Sequence, residues 1–391
     1  MQHFDTVLNR RNSNSVKWDG GELIKSFGFT ERFDDDTLPL FIADMDFPVA
    51  EPIVQAMQKV IDNKIFGYSI IPTEYYQAIK NWFSRKYNLH IEKDHIVYSP
   101  GTVNAINTCV KAFTDPGDGI IIQRPSYPPF ATAIENNGRT IVDNHLVRDE
   151  NYQYHFDFED LEIKAQDPKN KLLILCNPHN PTGRIFTTEE LRRIAEISDR
   201  NNLIIISDEI HGDLIRQNAV FHPLATVTNY ENLITLTAIN KTFNVAGLHC
   251  SNTIIQNEEL RKKYESVQGM QSPTPFAIAA LIAAYNECDE WLDQLKEYLD
   301  GTFEWVDRFL SEKMPQVKYS ISEGTYVLWM DFSGYNLTPH EVHDRIYNKA
   351  NVVLEDGKMF GKEYDDFQRI CLPSPRSIVK EAFERIAKEF N

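Results

Sequence analysis

Four short apolar runs punctuate the middle of the chain: Ile120–Ile122, Leu172–Leu175, Leu203–Ile206 and Leu233–Thr237. Runs this short, with no polar alternation, predict strands buried on both faces, as in a parallel sheet. Between them the apolar spacing changes to three and four residues. Residues 52–65 open on Pro52 at a first-turn position and carry Ile53, Val54, Met57, Val60 and Ile61 at helical intervals, which predicts a helix. Thr187 precedes Glu190 by three positions, a capping box, and Leu191, Ile194, Ala195 and Ile197 then supply one buried face. Strands alternating with helices up to about residue 270 predict a mostly parallel sheet wrapped in helices.

The pattern changes after Ser272-Pro273-Thr274-Pro275. Leu281, Trp291, Leu292, Leu295, Leu299, Val306 and Phe309 recur at helical intervals, predicting one long helix, straight or bent, that leaves a first domain and enters a second. A strand at Tyr326–Met330, a helix after Pro339, a strand near Phe367–Cys371 and a last helix from about Ser377 complete the chain. The expected architecture is α/β, with a large domain over residues 48–275 and a small domain formed by residues 1–47 and 276–391.

The candidate chemistry lies just beyond the apolar runs. Lys241 follows Leu233–Thr237, Asp208 follows Leu203–Ile206, Asn180 in CNPHNPTG follows Leu172–Leu175, and Tyr127 in RPSYPPF follows Ile120–Ile122. The ends of parallel strands are where open α/β sheets bind ligands, so an amine, an acid, an amide and an aromatic ring converge on one edge. That set suits pyridoxal 5′-phosphate, with the lysine bonding to the cofactor and the acid facing its ring nitrogen. In HIVYSPGTVNAINTCVKAF a strand meets a tight turn and then a helix with Val103, Ile106 and Val110 on its inner face. The free amides of Gly101, Thr102 and Val103 are candidates for a phosphate. Each residue also has a structural alternative: Asp208 can cap a turn, Asn180 can serve a loop, Tyr127 can be an ordinary half-buried aromatic, and His211 can be a core histidine rather than a neighbour of the phenolic oxygen.

Charge and composition narrow the partners. A formal net charge of −17 and a pI near 5.1 argue against nucleic acid or an anionic membrane surface, either of which favours a basic patch. Five dispersed cysteines form neither a disulfide framework nor a zinc pattern, which fits a reducing cytoplasm. The first residues show no apolar leader, and no segment has the length of a membrane span. His340 and His343 come nearest to paired metal ligands but sit on what reads as a solvated helix face.

The motifs ADMDFP, FGYSIIP, SPGTVNAI, RPSYPPF, CNPHNPTGR, ISDEIHGDL, NKTFNVAGL and FQRICLPSPRS occur in this order from about residue 30 to the C-terminus. Together they resemble the fold-type I pyridoxal phosphate enzymes of the class I/II aminotransferase family, and within it the cystathionine β-lyase, or carbon–sulfur lyase, branch. The resemblance implies a fold-type I transferase architecture, a mostly parallel-sheet large domain with a smaller α/β C-terminal domain. It implies that Lys241 bonds to the cofactor, Asp208 pairs with the pyridine nitrogen, Asn180 meets the phenolic oxygen, Tyr127 stacks on the ring and Arg369 clamps the substrate α-carboxylate, with Arg376 as its rival. It implies also that Tyr68 reaches the phosphate of a neighbouring subunit, so that a homodimer completes each site. His211 stands where many aminotransferase relatives have tyrosine, which agrees with the lyase branch. His249 stands where many have a phosphate-binding arginine, and Ala238 where many have serine or threonine, with Thr237 adjacent.

The implied reaction is α,β-elimination on an L-amino acid with sulfur at the β carbon. An aminotransferase uses the same residues as far as proton removal and is the first alternative. A regulatory protein that retains the fold and binds a transcription factor is the alternative of a different class.

Overall fold

The structure, a computed structural model, describes residues 4–26 and 28–390. Its strands, in chain order, are β1 (Leu38–Pro39), β2 (Ile96–Ser99), β3 (Gly119–Arg124), β4 (Thr140–Arg148), β5 (Tyr154–Phe156), β6 (Asn170–Cys176), β7 (Ile204–Asp208), β8 (Leu233–Ala238), β9 (Ser251–Ile255), β10 (Lys318–Tyr319), β11 (Val327–Asp331), β12 (Val352–Val353), β13 (Glu355–Asp356) and β14 (Phe367–Cys371). Eight of them form one sheet in the order β2-β9-β8-β7-β6-β3-β4-β5. The central five, β8 to β4, run parallel, while β9 is antiparallel to both β8 and β2, and β5 closes the other edge antiparallel to β4.

The uninterrupted apolar character of the central strands follows from helices covering both faces. Successive side chains of a strand point to opposite faces. Ile120, Ile122, Leu172, Ile174, Ile206, Ile234 and Leu236 pack with the helix Thr102–Phe113 on one side. Ile121, Leu173, Leu175, Ile205 and Leu233 pack on the other with Leu191, Ile194, Ala195 and Ile197 of the helix Thr188–Arg200. The capping box of that helix is present in full, with Thr187 accepting the Glu190 amide and the Glu190 carboxylate accepting the Thr187 amide.

A second, four-stranded sheet has the order β10-β11-β14-β13 and is antiparallel throughout. The last helix, Arg376–Phe390, covers it with Val379, Phe383 and Ile386, and Ile24, Leu38 and Leu40 of the N-terminal segment join the same core. β1 pairs in parallel with β12, and the buried Lys17 forms an ion pair with the buried Asp46 at 2.7 Å. These contacts bring the N-terminal segment back over the C-terminal part of the chain.

Three details differ from the sequence-based expectations. The long helix is two helices, Pro275–Glu287 and Asp289–Lys313. Cys288 leaves helical geometry between them (φ −113°, ψ 20°), and Asp289 starts the second helix while paired with Arg85 and Lys86. An apolar stripe that continues across the break cannot reveal it. Val103, expected on the inner face of its helix, is exposed, while its neighbours Thr102 and Ala105 turn inward; Ile106 and Val110 are buried as expected. The helix predicted over 52–65 is Glu51–Asp62, and its apolar residues do not share one covered face: Ile53 is buried while Val54 and Ile61 are exposed.

Candidate active site

Because β3, β6, β7 and β8 are adjacent and parallel, the residues that follow them emerge along one edge. Lys241 sits in the short helix Ile239–Thr242 immediately after β8. Its Nζ donates to the Ala43 carbonyl at 2.7 Å. Burial drives the Lys241 pKa below the usual lysine range, and the nearby charge of Arg369 adds to the effect, against the opposing pull of Cys371, Asp44 and Asp208. Two anchors hold this helix in place. Thr242 donates to Asp213 at 2.9 Å, and that half-buried carboxylate also accepts Trp82 Nε1 at 3.1 Å and the Tyr87 hydroxyl. Asn244, in left-handed backbone geometry, exchanges hydrogen bonds with Met45 and donates to Phe47 O, which ties the lysine turn to the segment carrying Ala43.

Asp208 is the last residue of β7 and is buried. Burial raises its pKa to about 7, opposed by the Ile210 amide that donates to it and by the charge of Lys241. His211 lies on the following turn, where burial, helped by Lys241 and Arg369, lowers its pKa to about 3, so it is neutral at physiological pH. Its Nδ1 has no hydrogen-bond partner among the described residues, and its ring meets Tyr326 edge-on with centroids 5.7 Å apart.

Arg369, in the middle of β14, is 1% exposed. Its Nη1 donates to Asn180 Oδ1 at 2.8 Å, its Nη2 donates to Phe41 O at 3.4 Å and pairs with Glu355, and it lies over the Phe360 ring. Since its oxygen accepts from Arg369, the Asn180 amide is oriented with Nδ2 left as a donor. Tyr127 is the residue before the helix Pro128–Asn136 and is half-buried, with its hydroxyl pKa raised by burial and lowered in part by Arg369. Gly101 precedes the helix Thr102–Phe113, whose first turn has no side-chain cap, so its amides remain available.

The structure therefore gathers Lys241, Asp208, His211, Asn180, Tyr127 and Arg369 at one end of the sheet. It separates Arg376 from them: that guanidinium packs on the Tyr298 ring and donates to Tyr298 O at 3.1 Å, anchoring the last helix to Asp289–Lys313. His249 is exposed and in left-handed geometry, and contributes its carbonyl to Tyr98. Tyr68 is fully exposed, in a segment with exposed Ile65, Phe66 and Ile70. Sequence reasoning missed Tyr326, whose hydroxyl donates at 3.0 Å to the same Ala43 carbonyl that receives Lys241. It also missed Glu355. In the apolar run Tyr326–Met330 nothing distinguishes the tyrosine from core, and Glu355 falls inside none of the motifs.

The residues present fit pyridoxal phosphate on four observations. A buried acid with a raised pKa stands ready for a cationic ring nitrogen, an unpartnered His211 Nδ1 and an oriented Asn180 amide flank it, the first amides of a helix are uncapped, and an amine with a lowered pKa completes the set.

A sequence model of the family aminotransferase class I and II matches residues 35–386. The chain is 37% identical over 98% of both lengths to the cystathionine beta-lyase PatB of Bacillus subtilis. Among solved structures it superposes on cystalysin from Treponema denticola, which contains a pyridoxal 5′-phosphate cofactor, with TM-score 0.94, 33% identity, and 100% and 98% of the two chains covered. It superposes also on the pyridoxal phosphate-bound C–S lyase from Staphylococcus hominis, with TM-score 0.92, 31% identity, and 99% and 98% covered.

Proposed function

The chain belongs to the aminotransferase class I and II family, and we propose that within it the protein is a pyridoxal 5′-phosphate-dependent carbon–sulfur β-lyase, acting on cystathionine- and cysteine-type L-amino acids. The observation that carries this is the convergence of a half-buried lysine with a lowered pKa, a buried acid and a buried arginine at the ends of neighbouring elements. The cofactor, when bound, supplies an electrophilic carbon for the substrate amine and a ring that accepts the electron pair of a broken Cα–H bond.

The chain's own residues do the rest. Arg369 holds the α-carboxylate through its planar fork, and Asn180, fixed by that arginine, would offer its free amide protons to the phenolic oxygen. Asp208 would supply the negative charge for the ring nitrogen, Tyr127 would hold the ring, and the amides of Gly101, Thr102 and Val103 would take the phosphate. Lys241, whose pKa burial lowers from the usual lysine range, removes the α proton. The Cβ–S bond then breaks with its electrons leaving on sulfur, and water converts the remaining fragment to pyruvate and ammonia. A thiol leaves readily because its pKa is about 8.5. The division into a large domain of residues 48–275 and a small domain of residues 1–47 and 276–391 belongs to this proposal.

The purified protein is expected to release pyruvate and thiol from L-cystathionine at a steady rate without added keto acid, and to convert alanine, which has no leaving group, only in a slow half-reaction. Silence on β-thio amino acids, combined with turnover of an amino-acid and keto-acid pair, would establish the aminotransferase alternative instead.

A homodimer completes the proposal. Ile65, Phe66 and Ile70 are exposed apolar residues next to Tyr68 in the chain, and Phe66 meets Phe276, so this segment carries more than a singly scattered surface apolar. A second copy covering them would let Tyr68 reach the partner's phosphate. Tyr68→Ala and Lys241→Ala chains, each inactive or weakened alone, are expected to regain activity when co-assembled, since one site of the mixed dimer receives both wild-type residues. No regain in a verified mixed dimer would mean that each chain holds a complete site.

A further inference from the structure

Glu355 stands directly opposite Arg369 in the antiparallel pairing of β13 and β14, so both side chains project from the same face of that sheet. Its carboxylate pairs with Arg369 Nη2. The two side chains are 17% and 2% exposed, so the pair is largely withdrawn from water but Glu355 keeps an open side. Arg369 Nη1 is committed to Asn180, and Nε has no hydrogen-bond partner among the described residues. Among the described residues Glu355 is the acid on this guanidinium.

A guanidinium that clamps an α-carboxylate must present two N–H groups to it. Here an acid of the same chain already occupies part of that fork. Two carboxylates on one buried guanidinium repel each other strongly, because little solvent lies between them to screen the charges. An arriving carboxylate must therefore push Glu355 toward its open side. We propose that Glu355 is an internal competitor for Arg369, which weakens binding of every ligand held by its carboxylate alone and so hastens departure of the α-keto acid product; this rests on Arg369 being the carboxylate clamp. An amino-acid substrate has two anchors, its carboxylate at Arg369 and its amine beside Lys241, and tolerates the competition. Pyruvate carries no amine and keeps only the arginine. Glu355 is a specificity-determining residue in this sense, setting amino acids apart from other carboxylates without touching the reacting atoms.

Propionate, which has a carboxylate and nothing else to react, is the probe. Its binding is measured by titration calorimetry on apoenzyme and holoenzyme, and propionate and pyruvate are tested as competitive inhibitors of cystathionine cleavage. Glu355→Gln is expected to bind propionate at least about tenfold more tightly in both forms, corresponding to ~1.4 kcal/mol, with pyruvate inhibition strengthened in parallel. Glu355→Asp, whose shorter side chain draws the charge back from the guanidinium, is expected to shift in the same direction by less. Unchanged or weaker propionate binding in either variant, with cofactor absorbance and thermal transition like wild type, would overturn the proposal. Arg369→Ala separates the two levels. If it abolishes propionate binding while the Glu355 variants show no gain, only the competitor role falls; if it leaves propionate binding intact, the clamp assignment itself falls.

Discussion

Replacing Lys241 with alanine is expected to lower cystathionine cleavage by at least ~10²–10⁴-fold, the range a positioned general base contributes, and to abolish covalent attachment of the cofactor. The burial that lowers the Lys241 pKa, the Ala43 carbonyl at 2.7 Å and the two anchors on Asp213 and the 43–47 segment all serve one amine. No other lysine has this placement after β8. Borohydride reduction followed by peptide mass mapping checks the outcome: the wild type should carry the cofactor at Lys241, and the variant should carry none. Cofactor fixed at another lysine in the wild type would overturn the site assignment.

The second large effect is expected from Asp208→Asn. It retains size and the Ile210 contact but removes the charge facing the ring nitrogen, and losses of about 10²–10³-fold in kcat are typical when one such electrostatic contact is deleted. A variant with cofactor bound and kcat within a few-fold of wild type would refute the role. The apoenzyme offers a second check through pH. The Asp208 pKa is raised from 3.8 to about 7 on folding, so between those values the folded state keeps a proton that the unfolded state has lost. Stability of the apoenzyme therefore falls as pH rises through this window, by at most ~1.4 kcal/mol per pH unit for each such group. Glu209, buried beside it and also raised to about 7, adds its own share. Denaturant midpoints of apo Asp208→Asn should show a shallower pH slope than apo wild type, with the Glu209 part retained.

The sheet and the candidate residues on its strands were legible for one reason. A parallel strand buried on both faces must be a nearly unbroken apolar run, so β3, β6, β7 and β8 announce themselves, and the first polar residues beyond them mark the end where ligands bind. Local chemistry was equally readable at Thr187, where the capping box lies within four consecutive residues. The resemblance of the motifs then supplied roles for Lys241, Asp208, Asn180 and Tyr127 that strand ends alone do not assign.

What the sequence left open depends on contacts between distant segments. The Ala43 carbonyl under Lys241 is 198 positions away, and Tyr326 reaches that carbonyl across 283. The motif resemblance points to Arg369, with Arg376 seven positions on as its rival. Packing separates them: β14 carries the first to Asn180, while the start of the last helix places the second against Tyr298. The break at Cys288 was hidden because hydrophobic spacing records which face is buried and not where the axis turns. Glu355 acquires meaning only from strand register, since a two-residue strand has no periodicity to detect and its partner lies on another strand. The sequence by itself determined the layers of the fold and the strand ends from which the site is built, because burial and local capping are written in neighbouring residues. Tertiary structure decided which carbonyl, arginine and acid meet at that site, because those pairings are fixed by packing and register between segments that are remote along the chain.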